Sequence, residues 1–348
     1  MKKIAKITAL VLASIFVLAV AAPFVFKGKI ISLIKTEANN NLNARLDFSD
    51  ASISLISHFP KISVKVQNLS LVGVDEFSSD TLISAKQIDL AMNLMSIISG
   101  NNAKVSGIYI DEPRVHVIVH KNGHANYAIA KTDHSSDKES PAKAGQFKLE
   151  LQKYVIGNGY ISYIDETSGM SSEIIDLNHE GSGDFTSDLF TLSTKTNVAA
   201  VNFVYGGIPY LAHAKTILDA DIEVNNKTNT YTFKTDQIAI NDLNIHGEGF
   251  FQMLADAYNM DIKFSAPSTD FKNILSLIPA IYQKDFASIK TSGQVKFGGF
   301  VKGKYDNTHM PAYQIALDVK NGFFQYPDLP KSVKNINLTC QVDNPDGI

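Results

Sequence analysis

At 348 residues the chain has material for one large domain or two ordinary ones, with ample apolar content for a core. Lys and Arg number 32 against 35 Asp and Glu, intermixed along the chain with a formal net charge of −3, which excludes the concentrated basic face of a nucleic-acid reader. Cys340 is the only cysteine, so an intrachain disulfide and a thiolate metal site are excluded as well.

The first element is an anchor. From Ile7 to Phe26 no side chain is charged. About twenty such residues in a helix span ~30 Å, the thickness of a hydrocarbon core, so residues 1–28 are expected to form a single-pass transmembrane helix. Lys2, Lys3 and Lys6 precede the run and Lys27, Lys29 and Lys35 follow it, so charge sets its orientation only weakly. The stronger argument is that everything beyond the anchor then crosses the membrane as one long domain. A cleavable signal peptide is the rival reading, because Ala19-Val20-Ala21 fits the small-x-small cleavage pattern. Pro23 just beyond the cut and the length of the run favour a retained anchor. No cysteine stands at the end of the run, where a lipoprotein anchor would need one.

From Gly28 to Leu46 the apolar residues Ile30, Ile31, Ile34, Ala38, Leu42 and Leu46 recur at spacings of three and four, with Lys35, Asn39, Asn40 and Asn43 on the other side. This spacing predicts an amphipathic helix over 29–46. Beyond it the period changes to two. Ile62, Val64 and Val66 alternate with Ser63, Lys65 and Gln67; Leu218, Ala220, Ile222 and Val224 alternate with Asp219, Asp221 and Glu223. Tyr258, Met260, Ile262 and Phe264 alternate with Asn259, Asp261 and Lys263, and Tyr313, Ile315, Leu317 and Val319 with Gln314, Ala316 and Asp318. One apolar and one wet face is the pattern of antiparallel sheet. Turn signals, among them Gly100-Asn101-Asn102, Asn225-Asn226-Lys227 and Gly298-Gly299, separate on the order of fifteen strands. Short helices are expected near Leu94–Ser99 and Phe271–Ile281, and no close internal repeat is visible.

Residues 132–145, polar and nearly devoid of apolar side chains, read as a flexible linker between a first sheet region, 47–131, and a second, 146–348. In the second, Cys340 keeps step with Ile336, Leu338 and Val342, which predicts a buried strand cysteine. Asn344-Pro345-Asp346-Gly347 then reads as a turn toward a further strand, so the sheet is expected to continue and to present an open edge.

The search for chemistry ends in wet strand faces and turns. His116, His120 and His124 share the spacing of a helical metal site, but Val115, Val117 and Val119 mark a strand. Four residues of strand cover about 13 Å, too far for two Zn–N bonds of about 2 Å each. Asp111 and Glu112 are adjacent at a strand junction, and adjacent strand residues point opposite ways, a poor acid–base pair. Ser182 between Gly181 and Gly183 lacks the spacing of a nucleophile elbow and reads as a turn. The glycines of Lys296-Phe297-Gly298-Gly299-Phe300 have no Gly-Lys-Ser/Thr and no following helix, so they read as a bulge or hairpin, not a phosphate loop. No catalytic cluster, cofactor or metal is predicted, and the chain reads as a non-enzyme.

A resemblance sharpens at His58-Phe59-Pro60-Lys61-Ile62-Ser63-Val64. After an anchor and short helix come Val66-Gln67-Asn68-Leu69-Ser70-Leu71, Asp80-Thr81-Leu82, Leu94-Met95-Ser96-Ile97-Ile98-Ser99-Gly100 and Val105-Ser106-Gly107-Ile108-Tyr109-Ile110-Asp111-Glu112-Pro113. This order resembles the N-terminal region of the AsmA family of outer-membrane-assembly proteins. Phe271-Lys272-Asn273-Ile274-Leu275-Ser276-Leu277-Ile278-Pro279 and Gly322-Phe323-Phe324-Gln325-Tyr326-Pro327-Asp328-Leu329-Pro330 resemble segments of its Bacteroides-type members. The resemblance implies an inner-membrane anchor, a periplasmic body and a role in moving or balancing lipid between the two membranes of a Gram-negative cell. The family is similar to repeating β-groove, bridge-like lipid-transfer proteins. About fifteen strands at ~4.8 Å spacing give roughly 70 Å of groove, short for an envelope-spanning bridge.

The expected fold is therefore mainly β: a transmembrane helix, then an elongated, curved antiparallel sheet with a groove-like apolar face and few helices. One-face-apolar strands with little to cover them either close on themselves or leave a trough. Beside a membrane the natural occupant is an acyl chain, each buried methylene contributing about 0.8 kcal/mol. The candidates for lining it are Ile62, Val64, Val66, Leu218, Ile222, Val224, Ile315, Leu317 and Val319. Expected partners are phospholipid and membrane, with envelope or outer-membrane proteins at the open C-terminal edge. The rival readings are a lipid-free periplasmic scaffold for outer-membrane protein assembly and a secreted β-sandwich binding module.

Overall fold

The computed structural model describes residues 42–58, 61–93, 104–129, 148–275, 289–306, 308–326 and 330–347, together with the helical positions Gly28, Ile31, Ser32, Lys35, Thr36 and Asn39. The expected anchor, the helix near 94–99 and the 132–145 linker lie outside these residues. Among the described residues no helix is long and apolar enough to cross a membrane. Strands dominate the described residues, sixteen of them in one mixed sheet. The chain divides into two compact units, Met1–Val119 with Gly123–Gly157, and His120–Asn122 with Asn158–Ile348.

In the first unit β1 (Arg45–Asp47) and β2 (Asp50–His58) both pair with β3 (Lys61–Val72), all antiparallel. β3 pairs with β4 (Thr81–Met92), and β4 with β5 (Lys104–Asp111) and at two positions with β6 (Arg114–Val119). The helix expected to reach Leu46 stops short of it, because Arg45, Leu46 and Asp47 pair with Val72, Leu71 and Ser70. A spacing of four keeps one face of a strand as well as one face of a helix, so Leu42 and Leu46 pack toward Leu71 from strand-like backbone. The alternation predicts antiparallel pairing throughout, and here too the structure differs. β5 runs parallel to β7 (Lys148–Asp165), from Lys104 opposite Lys148 to Asp111 opposite Gly157. A hairpin cannot join parallel neighbours, but the long connection through residues 112–147 can.

The second unit contains the end of β7 and a run of antiparallel neighbours: β8 (Met170–Ser182), β9 (Leu189–Tyr205), β10 (Ile208–Asn225), β11 (Thr230–Ile240), β12 (Leu243–Met253), β13 (Tyr258–Asp270), β14 (Lys290–Tyr305), β15 (Ala312–Gln325) and β16 (Val333–Asn344). A short helix, α1 (Phe271–Leu275), begins the helix expected after β13; positions 276–281 lie outside the described residues. Asn226 to Asn229 form the expected turn. Gly298-Gly299 do not: they sit inside β14, with unbroken register to both neighbours. Ser182 closes β8 and is not in a turn. Cys340 lies in β16 as expected but is exposed, because alternation assigns a residue to a face and does not supply a cover for that face.

The structure also exposes a repeat that sequence inspection missed. Asn158 and Asn321 each adopt left-handed backbone, with φ of 54° and 52°. Each donates its N–H to a side-chain oxygen on the next strand, Oδ1 of Asn178 and Oδ1 of Asn337, at 3.1 Å in both cases. The amide nitrogens of Asn178 and Asn337 donate in turn to the carbonyl two residues earlier, on Asp176 and Asn335, themselves left-handed. Asparagine tolerates this conformation and its short amide satisfies the displaced backbone groups. The matching sequences are Asn158-Gly159-Tyr160-Ile161-Ser162-Tyr163 and Asn321-Gly322-Phe323-Phe324-Gln325-Tyr326.

Candidate functional site

Directly opposed residues of an antiparallel pair point to the same side of a sheet, so the register traces a continuous surface across the second unit. One row of facing residues runs Leu192, Ile222, Phe233, Gly249, Ile262, Val301, Tyr313. A neighbouring row runs Gly247, Phe264, Gly299, Ile315, Val342, and the next Ala266, Phe297, Leu317, Cys340. On the other side of the first row lie Val224, Tyr231, Phe251 and Met260. No side chain in these rows is charged. The opposite face carries Asp221, Lys234, Glu248 and Lys263 in one row. The register thus places Leu218, Ile222, Val224, Ile315, Leu317 and Val319 on one apolar face. Phe233, Ile262, Phe264 and Val301 belong to it equally, and the same period-two alternation marks them.

Cover on this face is graded. At one end α1 packs against β13 and β14, and Leu243, Val295 and Val319 are 0–1% exposed. In the middle Ile222, Phe233, Ile262 and Val301 are only half-buried. At the far end Met253, Tyr258 and Tyr305, which face one another in sequence across β12, β13 and β14, are 42–50% exposed. Near the β8–β9 side His179 faces Thr196, with a 2.8 Å hydrogen bond between Nδ1 and Oγ1. Burial pushes the imidazole below its usual pKa.

The first unit is different. Ile62, Val64 and Val66 are 4–5% exposed. Ile62 and Val64 pack with Met92 and Val105, and Val66 with Phe48 and Ala51, against which Ile31 of the N-terminal helix also lies. These three candidates are core residues of their unit and leave no open surface.

Polar clusters in the first unit are structural in geometry. Asp89, 6% exposed, accepts a 2.5 Å hydrogen bond from Oγ of Ser63 and lies 3.2 Å from Nε2 of His58 and 3.8 Å from Nζ of Lys65. His58 also stacks on Tyr109 at 4.6 Å. The carboxylate stands between hydroxyl and imidazole, so no histidine is placed to activate the serine. His116 lies within β6, in the strand that the valines marked, and His124 pairs with Oε1 of Glu76. Among the described residues no group of His, Cys, Asp or Glu is arranged to hold a metal. Asp111 and Glu112 do not point apart as expected. Glu112 follows the strand at φ 47°, and both carboxylates reach Nζ of Lys86, at 3.8 and 2.5 Å. The hydrogen bond from Lys86 holds the Glu112 carboxyl below its usual range and raises the lysine.

The family model described as the AsmA family matches residues 1–268, from the N-terminus into β13. The chain belongs to the AsmA family. No curated protein matches it. For an AsmA chain, membership supports a role in envelope or lipid-related assembly, and the family match takes in the first unit together with the β8–β12 part of the apolar face.

Proposed function

We propose that this AsmA-family protein binds the acyl chains of phospholipid on the apolar face of its second unit, as an anchored lipid-binding or lipid-transfer protein that supports outer-membrane assembly without catalysing a reaction. One observation carries the reading: the uncharged row from Leu192 to Tyr313 is only half-buried, while α1 packs against β13 and β14 at one end. An acyl chain laid on it gains about 0.8 kcal/mol per buried methylene, whereas water gains nothing from such a surface. The uncharged run Ile7–Phe26 supports the accompanying proposal of a single-pass inner-membrane anchor with a periplasmic body.

Photo-crosslinkers at Ile222 and Leu317 are expected to capture phospholipid, and those at Asp221 and Asp318 are not, because one step along a strand turns the side chain to the other face. Equal capture at both sets would indicate loose membrane association and overturn the proposal. Capture at neither favours the scaffold reading, which the filled core around Ile62, Val64 and Val66 would serve.

A further inference from the structure

Resting on that reading, we infer that the apolar face holds a glycerophospholipid in one direction, with its ester and phosphate oxygens at a belt of tyrosines and its chains pointing toward α1. Tyr231, Tyr258 and Tyr305 stand at the second, first and last position of β11, β13 and β14, all at the same end of these antiparallel strands. All three lie on the apolar face by register, one or two rows beyond that of Phe233 and Ile262. Tyr258 and Tyr305 are 44% and 50% exposed, and among the described residues none of the three hydroxyls has a hydrogen-bond partner.

Along β13 and β14 from this belt, polarity falls and cover rises, from tyrosine through Ile262 and Phe264 to Ala266 and Val295, 1% and 0% exposed where α1 packs against these two strands. An amphiphile matches that gradient in one orientation only. A phenol offers an apolar ring beside a single donor, the combination that seats tyrosine at the boundary between hydrocarbon and headgroup in bilayers. From Tyr258 to Phe264 the strand covers about 20 Å, enough for the ~15 Å depth of one leaflet's chains.

The headgroup's charge is not what the belt reads. Lys227, Lys302 and Lys304 lie at the same end, but each is matched by a carboxylate, on Asp188, Asp261 and Asp306 at 3.1, 2.9 and 2.8 Å. Zwitterionic lipid therefore satisfies the site as well as anionic lipid does.

The chain has no tryptophan, so a single introduced one reports its own surroundings. Full-length Tyr258→Trp and Phe233→Trp proteins would be mixed with phosphatidylcholine vesicles carrying a nitroxide either on the headgroup or midway along an acyl chain. The headgroup label is expected to quench Tyr258→Trp at least threefold more than Phe233→Trp, and the chain label the reverse. Should either variant fail to fold by circular dichroism, Tyr305→Trp and Ile262→Trp carry the same comparison. The opposite order, or equal quenching at both positions by both labels, overturns the fixed direction while leaving lipid binding intact. No quenching at either position by either label overturns the lipid reading itself.

Discussion

The ring of Phe264 lies across Gly299, such that a β-carbon on the glycine would stand 2.8 Å from Cζ of the ring and would overlap the carbonyl oxygen of Gln314. The two residues face each other between β13 and β14, so the phenyl group occupies the space that a side chain at 299 would need. Gly249, opposite Phe233 one row along, is as constrained for another reason: at φ 144° a β-carbon would overlap the backbone oxygen of Asp261. The Phe264 ring thereby occupies the surface of β14 where a side chain would otherwise stand.

Replacing Gly299 or Gly249 with Ala is accordingly expected to cost about 3 kcal/mol, since the obstacle is backbone of the neighbouring strand and cannot swing aside. Gly206→Ala is the control. That hairpin glycine is also left-handed, at φ 57°, but has nothing within 4 Å of its would-be β-carbon, and about 1 kcal/mol is expected. Urea melts would measure all three; a cost at Gly299 or Gly249 no larger than at Gly206 would show that the neighbouring strand is not the obstacle.

Asp89 ties three strands together through Ser63, His58 and Lys65. Asp89→Ala leaves a serine hydroxyl and a histidine without their partner in a buried place, and is expected to cost about 3 kcal/mol. Ser63→Ala alone should cost about 1 kcal/mol, and the double variant clearly less than the sum. Additive effects in the melts would mean that the short Ser63–Asp89 hydrogen bond contributes nothing of its own.

Two acid limbs are expected in a plot of melting temperature against pH. Burial keeps the folded pKa of His179 below 6.5, so the unfolded chain takes up the proton first. The stability this histidine allows is complete above pH 6.5 and declines as pH falls toward the folded value. Asp165 lies lower. Hydrogen bonds from the side chains and N–H groups of Thr167 and Ser168 hold its carboxyl at about 2. Its contribution is present above the unfolded value of about 4 and is lost as pH drops through 2. His179→Gln should remove the first limb only and Asp165→Ala should flatten the second only; unchanged profiles would contradict both assignments.

Much of this was legible in the chain. Alternation between Ile222 and Asp221, or between Leu317 and Asp318, is a local property, because successive strand residues must point to opposite faces wherever the strand sits. Strand positions, the two faces of each strand, the turn after Asn225 and the family resemblance therefore followed from residues alone. What alternation cannot carry is the identity of the neighbour. The parallel pairing of β5 with β7 and the placing of Gly299 against Phe264 depend on strands far apart in sequence, and the Asn158–Asn178 device became visible only once its two halves were side by side.

Cover was decided by the tertiary structure alone. Val64 and Ile222 have the same local pattern, yet Val64 is 5% exposed beneath Ile62, Met92 and Val105, while Ile222 is half-buried on an open face. Cys340 keeps perfect step with its apolar neighbours and is nonetheless exposed. Sequence determined which face of each strand is apolar; only packing determined whether anything lies against it, because burial is set by a second surface that the strand's own residues do not encode.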